Sequence, residues 1–241
     1  MSVLVTGGAG FIGSHMVLEL LDAGEDVVVL DNLSTGFRWA VPDQAEFVEA
    51  DVGDHALVRR LLSGHGIDAI IHFAGSVVVP ESVADPLGYY LNNTCKSRTL
   101  IAAAVEAKIP HFIFSSTAAV YGMPKENPVA EDALLLPMSP YGTSKLMTEL
   151  MLRDTAKSTA LRYVALRYFN VAGASGSLGE DHRPETHLLP NAIDAAAGAR
   201  PALTVFGTDF PTADGTARLR APAPAADVRR DRRGGSPAPA P

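Results

Sequence analysis

Tyr141 and Lys145 lie four residues apart in the run Ser-Pro-Tyr-Gly-Thr-Ser-Lys, at the start of a helical segment, so their side chains share one helix face. A phenol has a reference pKa near 10 and is a poor base at neutral pH. An ammonium beside it stabilises the phenolate, each pKa unit removed being worth about 1.4 kcal/mol. The spacing alone is common and also describes an amphipathic helix start with a solvated lysine. Thr117 raises the pair to a candidate proton-transfer site. It follows the apolar strand Phe112-Ile113-Phe114 through Ser115 and Ser116. Hydroxyls at that point emerge at the carboxyl edge of a sheet, where one of them can bond a reacting oxygen and hold it toward the tyrosine. Strand ends also carry hydroxyls for plain capping, so no single one carries the argument.

A second constellation precedes the first. Thr6 to Gly13 reads Thr-Gly-Gly-Ala-Gly-Phe-Ile-Gly, between an apolar run and a segment of helical spacing. Gly7, Gly10 and Gly13 suit a tight turn, close approach to a pyrophosphate and close helix packing, while Phe11 and Ile12 open the helix whose amides face the phosphates. A glycine-rich structural turn is the plainer reading, and the position between strand and helix favours a dinucleotide. Asp31 ends the second strand, with Asn32 after it. A carboxylate there accepts hydrogen bonds from an adenosine ribose and repels a 2′-phosphate, which favours NAD over NADP. Arg38, a few residues on, is the rival reader of such a phosphate. Asp51 and Val52 are expected to end the third strand beside the adenine; a helix N-cap is the competing role for Asp51.

These residues need a scaffold. Apolar runs at 3–6, 27–30, 47–51, 69–73, 111–115 and 164–168 read as strands, and 12–21, 56–62, 94–107 and 144–153 as helices. Strands alternating with helices predict an α/β fold, a doubly wound parallel sheet of Rossmann type, its fully apolar strands covered on both faces. Residues 1–172 form the expected dinucleotide-binding domain and 173–217 an incomplete substrate-binding region. Residues 218–241 read as a disordered tail, because they hold six Arg, six Ala and five Pro but only Leu219 and Val228 as larger aliphatics.

Composition excludes several classes. Net charge is −7, against general nucleic-acid binding. The tail carries +4 of it, from six Arg and two Asp, leaving −11 on the rest. A single cysteine, Cys95, suits a reducing compartment, and the N-terminus reads as a strand rather than a signal peptide. No apolar run approaches the roughly 20 residues that span a bilayer. The expectation is a cytoplasmic enzyme with no membrane partner and no metal.

With these segments in place, the chain resembles the extended short-chain dehydrogenase/reductase family over residues 1 to about 217, and more narrowly its UDP-glucose 4-epimerase branch. The narrowing rests on the runs VLVTGGAGFIGSH, LDNLSTG, HFAG, FSSTAAVYG, SPYGTSK, RYFNVAGA and VFGTDFPTADGT. The resemblance implies bound NAD, a UDP-sugar substrate, transient oxidation at sugar C4 with Tyr141 as base, and a homodimer. By the same resemblance Phe73, Ala74, Gly75, Asn93, Ser115 and Tyr168 flank the cofactor. Phe169, Asn170, His187, Leu188 and Phe206 join Thr117 and Tyr141 along the substrate.

Three departures qualify it. Ala118 and Ala119 stand where dehydratases are expected to carry an acidic pair. Val77 and His187 replace a lysine and an asparagine found in some epimerases. After Thr216 the family pattern continues differently; codons compatible with Ala217 to Pro222, read one base out of frame, encode the family's Arg-Asp-Tyr-Val-His. A frame slip that leaves a poor epimerase is the expectation, a natural variant with a disordered tail the alternative. Other readings kept open are a different sugar-nucleotide epimerase, a dehydratase, and a non-catalytic NAD-binding protein.

Overall fold

The computed structural model describes residues 1–215 except 125, 127, 177, 182–184, 186, 206, 211 and 214, so the tail from 218 and Phe206 lie outside the described residues. Two compact units divide between Phe169 and Asn170. The first is a six-stranded parallel sheet with the strand order β3-β2-β1-β4-β5-β6, the order of dinucleotide-binding sheets. In chain order its elements are β1 (Ser2–Thr6), α1 (Phe11–Asp22), β2 (Asp26–Asp31), β3 (Glu46–Glu49), α2 (His55–Gly64) and β4 (Ala69–His72). Then come α3 (Val79–Ala84), α4 (Pro86–Tyr89), a π-helical stretch (Tyr90–Cys95), α5 (Lys96–Glu106), β5 (His111–Ser115), α6 (Pro140–Ser158) and β6 (Arg162–Leu166).

The period-2 geometry of the strands sorts their apolar residues onto two faces. Leu4, Val28, Leu30, Ile70, Phe112 and Phe114 pack with Val58 and Leu62 of α2, Leu100 and Ile101 of α5 and Leu152 of α6. Val3, Val5, Val27, Val29 and Ile71 point the other way, onto Val17 of α1. The crossovers after β1 and β2 run to one side of β1 and the one after β3 returns to its other side at β4, so the topological switch point, where such sheets bind ligands, lies between β1 and β4. Cover on the α1 face is uneven: Val164 of β6 is 52% exposed.

Several boundaries differ from the sequence reading. β3 stops at Glu49, so Asp51 and Val52 lie in the loop after the strand. The helix expected from Thr94 begins as a π-helical stretch and becomes α-helical at Lys96. β6 ends at Leu166, which leaves Tyr168 beyond the strand. α6 starts at Pro140 rather than Ser144. Ser139 caps it by accepting from the Gly142 amide at 3.2 Å, with Pro140 in the first helical position.

The second unit, from Asn170, contains α7 (Leu188–Ala196). Among the described residues no helix is long and apolar enough to cross a membrane.

Candidate active site

Thr6 ends β1 and the chain turns at Gly7, whose φ of 73° is left-handed. The three glycines are required for different reasons. A Cβ at Gly7 would sit 2.5 Å from the Ala74 nitrogen, and one at Gly13 would sit 2.1 Å from the Gly7 carbonyl oxygen. Both positions are therefore dictated by the chain itself. A Cβ at Gly10 would meet only the Gly7 oxygen, at 3.4 Å. Nothing internal demands glycine there. Gly10 is the N-cap of α1 and makes no side-chain cap, so the amides of Phe11, Ile12 and Gly13 keep the unpaired donors of a helix start. Open space above Gly10 beside three outward amides fits a phosphate group.

Asp31 is buried at the end of β2. Its Oδ2 accepts from the Ala9 amide of the glycine loop at 3.0 Å and its Oδ1 from Leu33 at 2.8 Å. The carboxylate thus shapes the loop, and each oxygen retains a second lone pair for a hydroxyl. Arg38, the rival anion reader, donates to the Val41 carbonyl at 3.0 Å and lies over the Phe47 ring at 4.7 Å.

Asp51 is not a helix N-cap: Asp54 caps α2 by accepting from Leu57 at 3.0 Å. Asp51 instead accepts from Lys96 at 2.6 Å, Gly53 at 2.8 Å and Asn32 at 3.1 Å. Burial works to raise its pKa, but these donors prevail and hold the carboxyl below its ordinary value. Val52 is buried in the core with Val58.

At the end of β4, Phe73 and Ala74 both donate to the Thr6 carbonyl, at 2.9 and 3.1 Å, and Gly75 follows with φ 157°. A Cβ on Gly75 would lie 2.9 Å from Asn93 Oδ1 and 3.5 Å from Lys145 Nζ. Asn93, in the π-helical stretch, is buried and fully committed within the chain. It accepts from the Ser76 amide (2.8 Å) and donates to the Ser76 carbonyl (2.9 Å) and Ser144 Oγ (3.1 Å). Its geometry is that of a clamp on the Gly75–Ser76 turn. Val77 next to it is exposed.

The proton-transfer candidates converge as expected from their spacing. Lys145 is buried and donates to the Ser115 carbonyl at 3.0 Å, with its ammonium 5.1 Å from the Phe114 ring centre. Burial lowers its pKa from 10.5 to about 8. Burial pushes the Tyr141 phenol up from 10, and a hydrogen bond with Thr117 opposes that rise. With burial raising the phenol and Thr117 opposing that rise, any further lowering by the Lys145 ammonium belongs to the site with its cofactor in place. Tyr141 and Thr117 are paired, and Lys145 is turned onto the strand end beside Gly75. Thr117 also accepts from the Ala119 amide at 3.1 Å, capping a 3-10 turn over Ala118–Tyr121. The Tyr168 carbonyl accepts from Ala118 at 2.7 Å, which ties the segment after β6 to the same corner. Phe169 is exposed.

In the second unit, Asn170 is exposed, His187 precedes α7 and Leu188 opens it, about half exposed. The His187 ring pairs with Glu180, and its amide donates to Glu185 at 2.7 Å.

Two buried polar groups escaped the sequence reading. His72 bonds Thr6 Oγ1 at 2.6 Å and Ser97 Oγ at 2.8 Å; burial, aided by the Lys145 charge, lowers its pKa to about 3. Glu149 lies one turn beyond Lys145 and pairs with Arg167 at 2.7 Å. The signal for Glu149 was its place in the helical series 141, 145, 149; His72 offered none beyond its strand.

Residues 3–219 match the sequence profile of the NAD dependent epimerase/dehydratase family. The UDP-glucose 4-epimerase of Azospirillum brasilense is 54% identical over 216 residues, which cover 89% of this chain and 62% of that protein. That of Lactobacillus helveticus is 50% identical over 90% of this chain and 66% of its own length. Among solved structures, UDP-glucose 4-epimerase from Brucella ovis in complex with NAD is 48% identical, with a TM-score of 0.85 over 88% of this chain and 66% of that one. The chain thus spans somewhat less than two thirds of the length of these relatives.

Proposed function

The chain belongs to the NAD dependent epimerase/dehydratase family, and from that premise we propose that it binds NAD at the carboxyl edge of the sheet and interconverts UDP-glucose and UDP-galactose. The observation that carries the reading is the Thr117–Tyr141 pair on the same helix face as buried Lys145. The outward amides of Phe11, Ile12 and Gly13, the space above Gly10 and the Asp31 carboxylate support a dinucleotide there, with Asp31 favouring NAD over NADP. NAD, when bound, supplies a hydride acceptor that later returns the hydride to the sugar.

The residues of the chain handle the proton and the alignment. Tyr141 takes the proton from the sugar 4-hydroxyl, and Thr117 bonds both the phenol and the reacting oxygen. Lys145, fixed by the Ser115 carbonyl beside Gly75, supplies a cation whose ammonium form is favoured below about pH 8. Thr117 is buried and Tyr141 partly so, which limits water at the pair and strengthens these bonds. Ala118 and Ala119 follow Thr117 within the 3-10 turn and offer no acid for expelling a sugar hydroxyl, which favours epimerisation over dehydration. Asn170, His187, Leu188 and Phe206 are assigned to the UDP-sugar on the resemblance.

A homodimer belongs to the same reading. Val83 of α3, Leu87 of α4, Leu91 of the π-helical stretch, and Met147 and Leu150 of α6 are exposed apolar side chains on helices that pack together. We place the enzyme in the cytoplasm, as its single cysteine suggests.

The test is Tyr141→Phe. Turnover of UDP-galactose in the presence of NAD should fall at least about a hundredfold, while NAD binding by calorimetry stays within about threefold. Near-full turnover in the variant would remove Tyr141 from the reaction.

A further inference from the structure

Three consecutive residues at the end of β5 are each held by a different side chain of one α6 face. The Ser115 carbonyl accepts from Lys145, Ser116 Oγ donates to Glu149, and Thr117 bonds Tyr141. The holders stand at 145, 149 and 141, one helical row. A regular strand would send Ser116 and Thr117 to opposite faces. The chain avoids this by a tight turn, in which the Ser116 amide donates to the Phe114 carbonyl at 3.0 Å. That turn is what brings both hydroxyls to α6.

Glu149 is itself clamped. It is 6% exposed. Arg167, just past β6, donates to it through Nε at 3.1 Å and through Nη2 at 2.7 Å, a two-pronged carboxylate pair. The same guanidinium donates through Nη1 to Tyr121 Oη at 2.8 Å and to the Glu131 carbonyl at 2.9 Å. One ion pair therefore joins α6, the end of β5, the end of β6 and the turn that Thr117 caps.

Resting on the reading of Tyr141 and Thr117 above, we propose that Glu149, held by Arg167, is a positioning residue for the proton transfer: through Ser116 it sets the placement of Thr117 against Tyr141. Replacing a buried ion pair by apolar packing is often neutral for stability. A pair retained for packing alone would have no need of Ser116, whereas the bond of Ser116 to Glu149 lies one residue from Thr117, the partner of Tyr141.

Ser116→Ala removes that contact and leaves the ion pair intact; Glu149→Gln removes the charge and keeps an acceptor. Two readouts are taken on the whole chain: kcat and KM for UDP-galactose with NAD, and the 13C resonance of the Tyr141 ring through a pH titration, assigned by its loss in Tyr141→Phe. Ser116→Ala should lower kcat by about ten- to a hundredfold with KM within about twofold, as expected of misalignment. Its Tyr141 resonance should move, with a higher titration midpoint, because the Thr117 bond that restrains the phenol is weakened. An unchanged kcat and an unchanged Tyr141 titration in folded Ser116→Ala would overturn the proposal, whether or not Glu149→Gln folds. If Tyr141→Phe leaves turnover intact, or the parent shows none, the epimerase reading falls and the Tyr141 titration alone decides the placement.

Discussion

Lys145→Met should make the protein more stable at neutral pH and inactive. Burial lowers the folded-state pKa of Lys145 from 10.5 to about 8. Below both values the lysine is charged in either state, and holding the ammonium in the folded protein then costs about 3 kcal/mol. As pH rises from about 8 to 10.5 the folded state releases its proton first, and the cost fades. Methionine removes the penalty and retains contact with the Phe114 ring. It leaves the Ser115 carbonyl without its donor, a loss of about 1–3 kcal/mol. The net expectation at pH 7 is a gain of up to about 2 kcal/mol, or a Tm higher by up to about 8 °C. The advantage should disappear by about pH 10, because only the parent gains over that interval. Tyr141 and Tyr89, both raised by burial, the latter to about 12, are common to the two proteins and cancel. Urea unfolding at pH 7.0, 8.5 and 9.5 is the assay. A variant less stable than the parent at pH 7, or a gap that does not change with pH, would show that Lys145 is well accommodated in the fold and that its burial has no role in tuning it.

Three further outcomes are expected. Gly13→Ala should lose about 3 kcal/mol or more, since its Cβ would meet the Gly7 oxygen at 2.1 Å, whereas Gly10→Ala should unfold within about 1 kcal/mol of the parent yet bind NAD at least tenfold more weakly by calorimetry. Equal NAD affinity in Gly10→Ala would displace the phosphate from that turn. The His72 pKa falls from 6.5 to about 3 on folding, so stability is full above pH 6.5 and drops as pH falls through that window, by about 2 kcal/mol at pH 5. His72→Gln should therefore lose less between pH 7 and 5 than the parent does, and equal losses in urea titrations would contradict the buried neutral histidine. Asp31→Asn turns an amide donor toward the Ala9 or Leu33 amide, which should cost about 1–3 kcal/mol and narrow the preference for NAD over NADP. An unchanged preference would shift attention to Arg38.

The strands and the glycine turn were legible because each is a local signal: four or five consecutive apolar residues, then glycines at fixed intervals before a helix. Asp31 was placed at its strand end for the same reason, but its bonds to Ala9 and Leu33 depend on how the loop folds back. Asp51 was misplaced because the run Phe47–Asp51 continues to look like a strand, whereas pairing with β2 ends at Asp31 opposite Glu49. Glu149 continues the helical row of Tyr141 and Lys145, but its partner Arg167 stands 18 positions away on another element, and nothing local pairs the two until the sheet brings them together. Helix spacing put Tyr141 and Lys145 on one face, but the partners they take there, Thr117 and the Ser115 carbonyl, depend on where each side chain turns.

The start of α6 was missed for a related reason, and it bears on how the site is built. The buried residues of this helix are Gly142, Ser144, Lys145, Thr148, Glu149 and Leu152, of which only Leu152 is a large aliphatic. Hydrophobic periodicity cannot reveal a helix that docks through polar groups. Its attachment is made by directed bonds: Ser144 with Asn93, Thr148 to the Asn93 carbonyl at 3.2 Å, Thr94 to the Ser144 carbonyl at 3.2 Å, Lys145 to Ser115, and Glu149 with Ser116 and Arg167. Apolar contacts are non-directional and can repack with small shifts, whereas a hydrogen bond weakens steeply outside a narrow range of distance and angle. An apolar helix in the same place would be easier to stabilise but freer to slide along the sheet. Polar docking fixes the helix at several depths, and the residues that do so flank Tyr141 along its own face. On this argument the cost of burying Lys145 and Glu149 secures the placement of Tyr141 against Thr117, the one geometric relation the proposed chemistry cannot do without.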